Sequence, residues 1–407
     1  MRSIRNTAVR LKYELIFLGI FAYYFIAFVP GVTEVLQDYC VEFYFITYDF
    51  GFISRGLIGS LLSLIFPFLT QRALYFIIAA ALILLSIVTA RFLGGIIRKS
   101  DKNLKNVLAY LAVLFCVNPA SLSFLFSWEN FGRLDIWLLI ITIVCLLLIT
   151  KNKALFLVPV FCAAAVMIHQ NFIFLYFPLI FILLAYRAAL TSRSRKNTVI
   201  CIITGALTCA GFVYFQFFGK IQRLSMETAL QMMQSRTNYP VSVGPLQFEH
   251  YAPFKQHIDL LSEQGPLLLI KLAIVLVIFL PLIFIFVKLW RAALKSVTRS
   301  RWIYIGFLLV LPAALPIFIT VDWGRWLAHI IIGQFLLIFC LSAMNDEPMT
   351  KSLRLTGAFM ERHRFAFLCI AAFLALPGKL TAAGVMNTPL SEIGAFGKNI
   401  LALFGRL

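Results

Sequence analysis

The chain has 407 residues, 61% of them hydrophobic and 15% aromatic, with mean hydropathy +0.92. This composition excludes a soluble globular domain and implies a polytopic membrane protein. The formal net charge of +19 invites a nucleic-acid reading, but the basic residues sort by membrane side, so no nucleic-acid partner is expected.

Met1–Lys12 carries four basic residues before the first apolar run. No small-residue cleavage site follows, which predicts an uncleaved first span. Apolar runs near 14–31, 73–97, 107–126, 135–150, 154–169, 171–187, 198–219, 266–289, 302–321, 327–344 and 365–385 predict about eleven spans, within a range of 10–12. The expected fold is one all-α transmembrane helix bundle covering residues 1–407. With the N-terminus in the cytoplasm, 23 Lys and Arg fall in inside segments and 11 in outside ones, while Arg91 and Lys271 lie within spans. Acids divide the other way, 5 inside and 12 outside. The bias assigns the excess charge to topology and to contact with the lipid surface. Of the eight Cys, seven fall in predicted spans and only Cys40 in a loop, with no Cys-x-x-Cys, which argues against a disulfide framework or zinc site.

Two outside loops are long. In the first, 31–72, the stretch 56–69 is about 14 apolar residues, too short to cross and expected to lie as a helix in the interface. The second, 220–265, carries Tyr239, Pro240, His250 and His257. Its polar, helix-prone part at 222–236 is expected to form a lid or a second interfacial helix.

Polar residues collect in four outside loops. Asp49 and Arg55 lie in the first, Glu129, Arg133 and Asp135 in the second, His169 in the turn after the fifth span, and Asp322, Arg325 and His329 before the tenth. Asp322, Arg325, Trp326 and His329 are spaced i, i+3, i+4 and i+7, one face of a helix. Each group has a plain structural alternative. Asp49 suits a cap for a helix beginning near Ser54, Glu129 and Arg133 an i, i+4 pair, and His169 a hydrogen-bonded turn. Asp322 and Arg325 suit an ion pair beside an interfacial tryptophan belt.

Several Arg and few acids at one membrane face suit a lipid head group that carries phosphate. Sugar transfer from a polyprenyl phosphate or diphosphate needs cations where phosphate charge develops and a base for the acceptor hydroxyl. Arg55, Arg133 and Arg325 are the candidates for phosphate, with Glu129 and Asp322 orienting them and His329 as a further contact. Asp49 is the first choice of base and His169 the second. There is no nucleotide fingerprint. A midplane almost free of charge disfavours a flippase or transporter, although Pro281, Pro312 and Pro316 can break helices.

These motifs carry a resemblance. An Asp-x-Gly-Phe element (Asp49, Gly51, Phe52) precedes an apolar interfacial stretch. An Asn-Phe-Gly-Arg turn (Asn130–Arg133) opens a span, His169 sits near an outer helix end, and Arg325-Trp326 opens a late span. In order and spacing, over roughly 40–345, the chain resembles extracytoplasmic polysaccharide polymerases of the Wzy/EpsG type and, more broadly, C-type integral membrane glycosyltransferases. The resemblance implies an undecaprenyl-linked saccharide donor and acceptor, a bacterial inner-membrane location with the site facing the periplasm, and a chain-length regulator as partner. It also implies that Asp49 serves as base or metal ligand. The loop lacks an Asp-x-Asp or Glu-x-Asp pair, so the cofactor is unassigned and a divalent metal stays open. A transferase adding a single sugar from polyprenyl monophosphate is the alternative within the same chemistry.

Overall fold

The structure, a computed structural model, describes residues 11–32, 34, 36–191, 194–251, 254–297 and 322–375, with the side chains of 191, 254–258 and 260–269 left aside. All regular structure among these residues is helical. Helices of eight or more residues are α1 (Lys12–Phe28), α2 (Gly56–Ser63), α3 (Gln71–Lys99), α4 (Lys102–Val117), α5 (Asp135–Lys151), α6 (Leu157–Ile168), α7 (Phe177–Tyr186), α8 (Arg195–Phe217), α9 (Met226–Gln234), α10 (Phe254–Ser296), α11 (Trp323–Ala343), α12 (Glu347–Arg362) and α13 (Arg364–Ala375).

Four of these are long and apolar enough to cross a bilayer: α3, α8, the Ile270–Ser296 part of α10, and α11. α1 and α5 have 17 residues each. α6 and α7 have 12 and 10, or about 18 and 15 Å at ~1.5 Å per residue, short of a hydrocarbon core about 30 Å thick. The expectation of about eleven spans is therefore carried only in part, and the backbone gives the reasons. The 107–126 run is cut at Asn118, whose extended conformation (ψ 148) before Pro119 ends α4. The 154–169 run stops where His169 turns extended (φ −162, ψ 117). The 171–187 run breaks at Tyr176, and Pro178 then opens α7. Hydropathy counts apolar residues and passes over such breaks. The expected span 302–321 lies outside the described residues, and 365–385 is described only as far as 375.

The chain divides into two compact units. A terminal unit comprises Met1–Val29, Ser86–Ser127 and Leu260–Leu407, and an inserted unit comprises Pro30–Leu85 and Trp128–Asp259. In the terminal unit α4 is the centre, packed by α1, α11, α12 and α13. Phe115 of α4 meets Phe335 of α11 at 5.3 Å between ring centroids. Tyr24 donates to the Cys116 carbonyl at 2.8 Å, and Tyr110 to that of Phe367 at 2.7 Å. The amphipathic α12 arises in a stretch expected to be loop. Asp346 caps it by accepting from the Met349 N–H at 2.8 Å, Pro348 sits in its first turn, and Met349, Leu353 and Met360 are buried.

In the inserted unit α6 packs against α2, α5 and α8. The expected interfacial helix is shorter than predicted, α2 covering 56–63, with Pro67 in the irregular stretch that follows. Its Ile58 is buried, while Leu61, Leu64, Ile65 and Phe68 are at least half exposed, an apolar edge suited to a membrane surface. A Cβ on Gly59 would collide with the Ile46 carbonyl oxygen, so only glycine lets α2 lie directly on the loop before it. The expected helix in 222–236 is present as α9, whose cap Ser225 accepts from the Thr228 N–H at 3.2 Å.

Candidate functional site

Within the inserted unit, segments far apart in sequence dock on the first long loop. Cys40 Sγ donates to the Glu129 carbonyl at 3.1 Å, and Trp137 Nε1 donates to the Tyr44 hydroxyl at 3.0 Å. Gly132, at φ +97, lies so close that a Cβ would stand 2.9 Å from Val41 Cγ1. The stretch after α9 docks there too. Tyr239 donates to the Leu36 carbonyl at 2.9 Å and to the Asp38 carboxylate, and the Ser242 N–H donates to Glu42 Oε1 at 2.5 Å. α2 rests on α6, the helix that ends just before His169.

Arg55 is the pivot of this region. It stands at the N-terminus of α2 in the left-handed conformation (φ 67, ψ 6), unusual for a residue with a side chain. Its guanidinium is buried, with Nη2 2.7 Å from Glu249 Oε2 and Cζ 4.3 Å from the centre of the Phe43 ring. The Ser54 N–H donates to the Gly219 carbonyl at 3.0 Å, which brings Lys220 to the same place. Beside them His250 is 2% exposed, and neither ring nitrogen has a hydrogen-bond partner. Burial, with Arg55 and Lys220 adding repulsion, pushes this imidazole down to about 3, so it is neutral at physiological pH.

Asp49 is exposed and accepts from Thr47 Oγ1 at 2.9 Å. Arg236 faces it: burial lowers that guanidinium, and the charge of Asp49 works against the shift. Asp49 does not cap α2, because Arg55 holds the cap position and the neighbouring polar link runs from the Tyr48 N–H to Ser60 Oγ at 2.8 Å. Arg133 and Glu129 are half-buried in the turn closed by the Arg133 N–H on the Asn130 carbonyl at 3.1 Å. His169 is 3% exposed, and its Nδ1 accepts from the Asn171 N–H at 3.3 Å.

Asp322, Arg325 and His329 belong to the terminal unit, at the start of α11. Arg325 Nη1 is 3.7 Å from Asp322 Oδ2, and Arg325 and His329 are buried. Trp323 and Trp326 are 0% and 1% exposed, so these indoles pack inside protein and do not form an interfacial belt. The same unit holds an apolar groove of about 760 Å³ between α10 and α11, where Trp290 Nε1 donates to Gln334 Oε1 at 2.8 Å.

Glu249, Lys220 and Arg236, with His250 in its buried role, are additions that sequence reasoning missed. The adjacent Glu249-His250 in a long polar loop was the available signal. Their partner Arg55 lies in a different loop, and nothing in the spacing ties the two. Among the described residues no three His, Cys, Asp or Glu side chains gather as a metal site, and no cysteine is in a disulfide. Comparison with protein-family models, curated proteins and solved structures finds no match to this chain.

Proposed function

We propose that the protein is an extracytoplasmic glycosyltransferase using a polyprenyl-linked sugar donor, and that it polymerises saccharide repeat units in the manner of the Wzy/EpsG type. The observation that carries the reading is the convergence on one loop of an exposed carboxylate, Asp49, with the arginine-bearing segments of Arg55 and Arg133. In the proposed step Asp49 takes the proton of the acceptor hydroxyl as its oxygen attacks the donor's anomeric carbon. The bond from that carbon to the phosphate oxygen breaks, and the phosphate leaves as an anion held by arginine. The apolar groove of the terminal unit suits a prenyl chain. Arg325, Asp322 and His329 remain phosphate-binding candidates of that unit. The reading places the protein in a bacterial inner membrane, N-terminus in the cytoplasm, with Asp49 facing the periplasm.

The test is purified protein in lipid with a polyprenyl-diphosphate-linked donor and acceptor. A ladder of repeats is expected, and Asp49→Asn and Arg325→Ala are each expected to abolish it while the protein stays in the membrane. A single addition would replace polymerisation with one-sugar transfer. Absence of any glycosidic bond would remove the enzyme reading, and full activity in both variants would remove the site assignment.

A further inference from the structure

A buried imidazole without partners is uncommon in a folded protein and calls for a reason. His250 is nine-tenths buried or more, both its nitrogens lack partners, and it shares its place with two cations and a carboxylate. A neutral imidazole offers one N–H and one lone pair, the complement of a hydroxyl, which also gives one hydrogen and accepts another. The neighbouring guanidinium already grips an anion, since the Glu249 carboxylate sits 2.7 Å from Arg55 Nη2. Phosphate oxygens present that fork with the same geometry as a carboxylate and more charge. Phe43 lies beneath the guanidinium. Glu249 and His250 are adjacent in one wide turn, Gln247–Tyr251, a backbone form often found at functional sites. Movement of that turn would uncover the fork and the imidazole together.

We propose that Arg55, Lys220 and His250 form a binding subsite for a glycosyl phosphate: the ligand's phosphate displaces Glu249 from Arg55, and a sugar hydroxyl pairs with His250. Glu249 then holds the empty subsite closed as an internal anion. The choice of a sugar phosphate rests on the proposed function, whereas the subsite rests on the placement of these four residues.

The test uses the full chain in lipid nanodiscs, labelled with ¹³C,¹⁵N-histidine. The His250 signals are identified by their loss in His250→Gln. Titration with glucose 1-phosphate is expected to move the His250 signals saturably, whereas glucose alone does not move them and inorganic phosphate binds more weakly. Glu249→Gln removes the competing charge and is expected to tighten binding of glucose 1-phosphate by roughly three- to tenfold, a gain that misfolding cannot produce. A glucose linked to a short prenyl phosphate that binds more tightly than glucose 1-phosphate points to a lipid-borne source, and the reverse order to a soluble one; either is the same subsite. Unmoved His250 signals in wild type and in Glu249→Gln, or an affinity indifferent to Glu249, would overturn the proposal. If sugar transfer occurs while His250 stays unmoved, the subsite falls and the transferase stands. If His250 responds but no glycosidic bond forms, the subsite stands and the transferase falls.

Discussion

The two units treat the backbone differently. The terminal unit is built mostly from long regular helices, and its ion pairs include the local Asp322–Arg325 and two that join separate helices, Glu14–Arg98 and Asp101–Arg354. The inserted unit joins the long α8 to many short helices and turns. It holds Arg55, Asn152, Ala154, Gly51 and Gly132 at positive φ, while Asn345 alone among the described residues does so in the terminal unit. Its central ion pair, Arg55–Glu249, joins two separate loops. Strained backbone persists only where surrounding contacts enforce it, and such places are commonly functional. The contrast makes the inserted unit the better place to look for the transfer chemistry.

The sharpest way to break this contrast is Arg55→Ala. It leaves the largely buried Glu249 carboxylate without its cation and keeps a Cβ-bearing residue at φ 67. Removing one partner of a buried pair is expected to cost about 3 kcal/mol of stability, together with loss of transfer activity. Arg55→Gly is expected to recover about 1 kcal/mol of stability, because glycine adopts the left-handed conformation freely, but none of the activity. In the terminal unit Asp322→Asn removes a looser pair at 3.7 Å with a 34% exposed carboxylate, for which a cost below about 1 kcal/mol is expected. Denaturant unfolding of the three variants in detergent checks the order, and equal losses from Arg55→Ala and Asp322→Asn would erase the difference between the units.

A smaller effect separates two glycines. Gly132→Ala is expected to cost about 2 kcal/mol, since φ is +97 and the new Cβ would stand 2.9 Å from Val41 Cγ1 and 3.0 Å from Ile78 Cδ1. Gly95 lies within α3 in the terminal unit, and a methyl group added there would meet nothing within 4 Å. There alanine is expected to stabilise by about 0.5–1 kcal/mol through helix propensity. Thermal unfolding of the pair measures both signs.

What was legible in the sequence divides by kind of feature and not by unit. The helices α3, α8 and α11 were readable because uninterrupted apolar length is a one-dimensional property. The breaks at Asn118, His169 and Tyr176 were not, because they depend on backbone conformation inside apolar runs. Asp49 and Arg55 stood out as polar residues beside glycines. Glu249 as the partner of Arg55 did not, because docking of one loop on another leaves no periodic trace. His250 was visible only as a loop histidine; its lack of partners is a property of the packed state. The docking of the Glu129–Arg133 turn on the first loop was foreshadowed by the grouping of polar residues in outside loops, but the glycine contact that fits it there was not.

A further effect concerns pH and the docking of the stretch after α9. Glu42 is 0% exposed; its Oε1 accepts from the Ser242 N–H and its Oε2 has no partner. Burial raises this carboxyl from 4.5 to about 7, against the lowering effect of the Ser242 hydrogen bonds and with a further push from Asp38. A raised carboxyl favours the folded state in full below pH 4.5, and this contribution is lost as pH rises through about 7. His250 acts in the opposite sense. Its depressed value favours the folded state above pH 6.5, and this contribution is lost as pH falls through about 3. Between these limits the two slopes oppose one another and wild-type stability is expected to be nearly flat. Glu42→Gln keeps an acceptor for Ser242 but cannot ionise, so only the rising His250 arm remains. Thermal unfolding from pH 4.5 to 8 is expected to show the variant matching wild type at the acid end and exceeding it by on the order of 1 kcal/mol at the alkaline end. Parallel pH profiles for the two proteins would mean that the Glu42 carboxyl is not held protonated by its burial, and that the docked loop is indifferent to its charge.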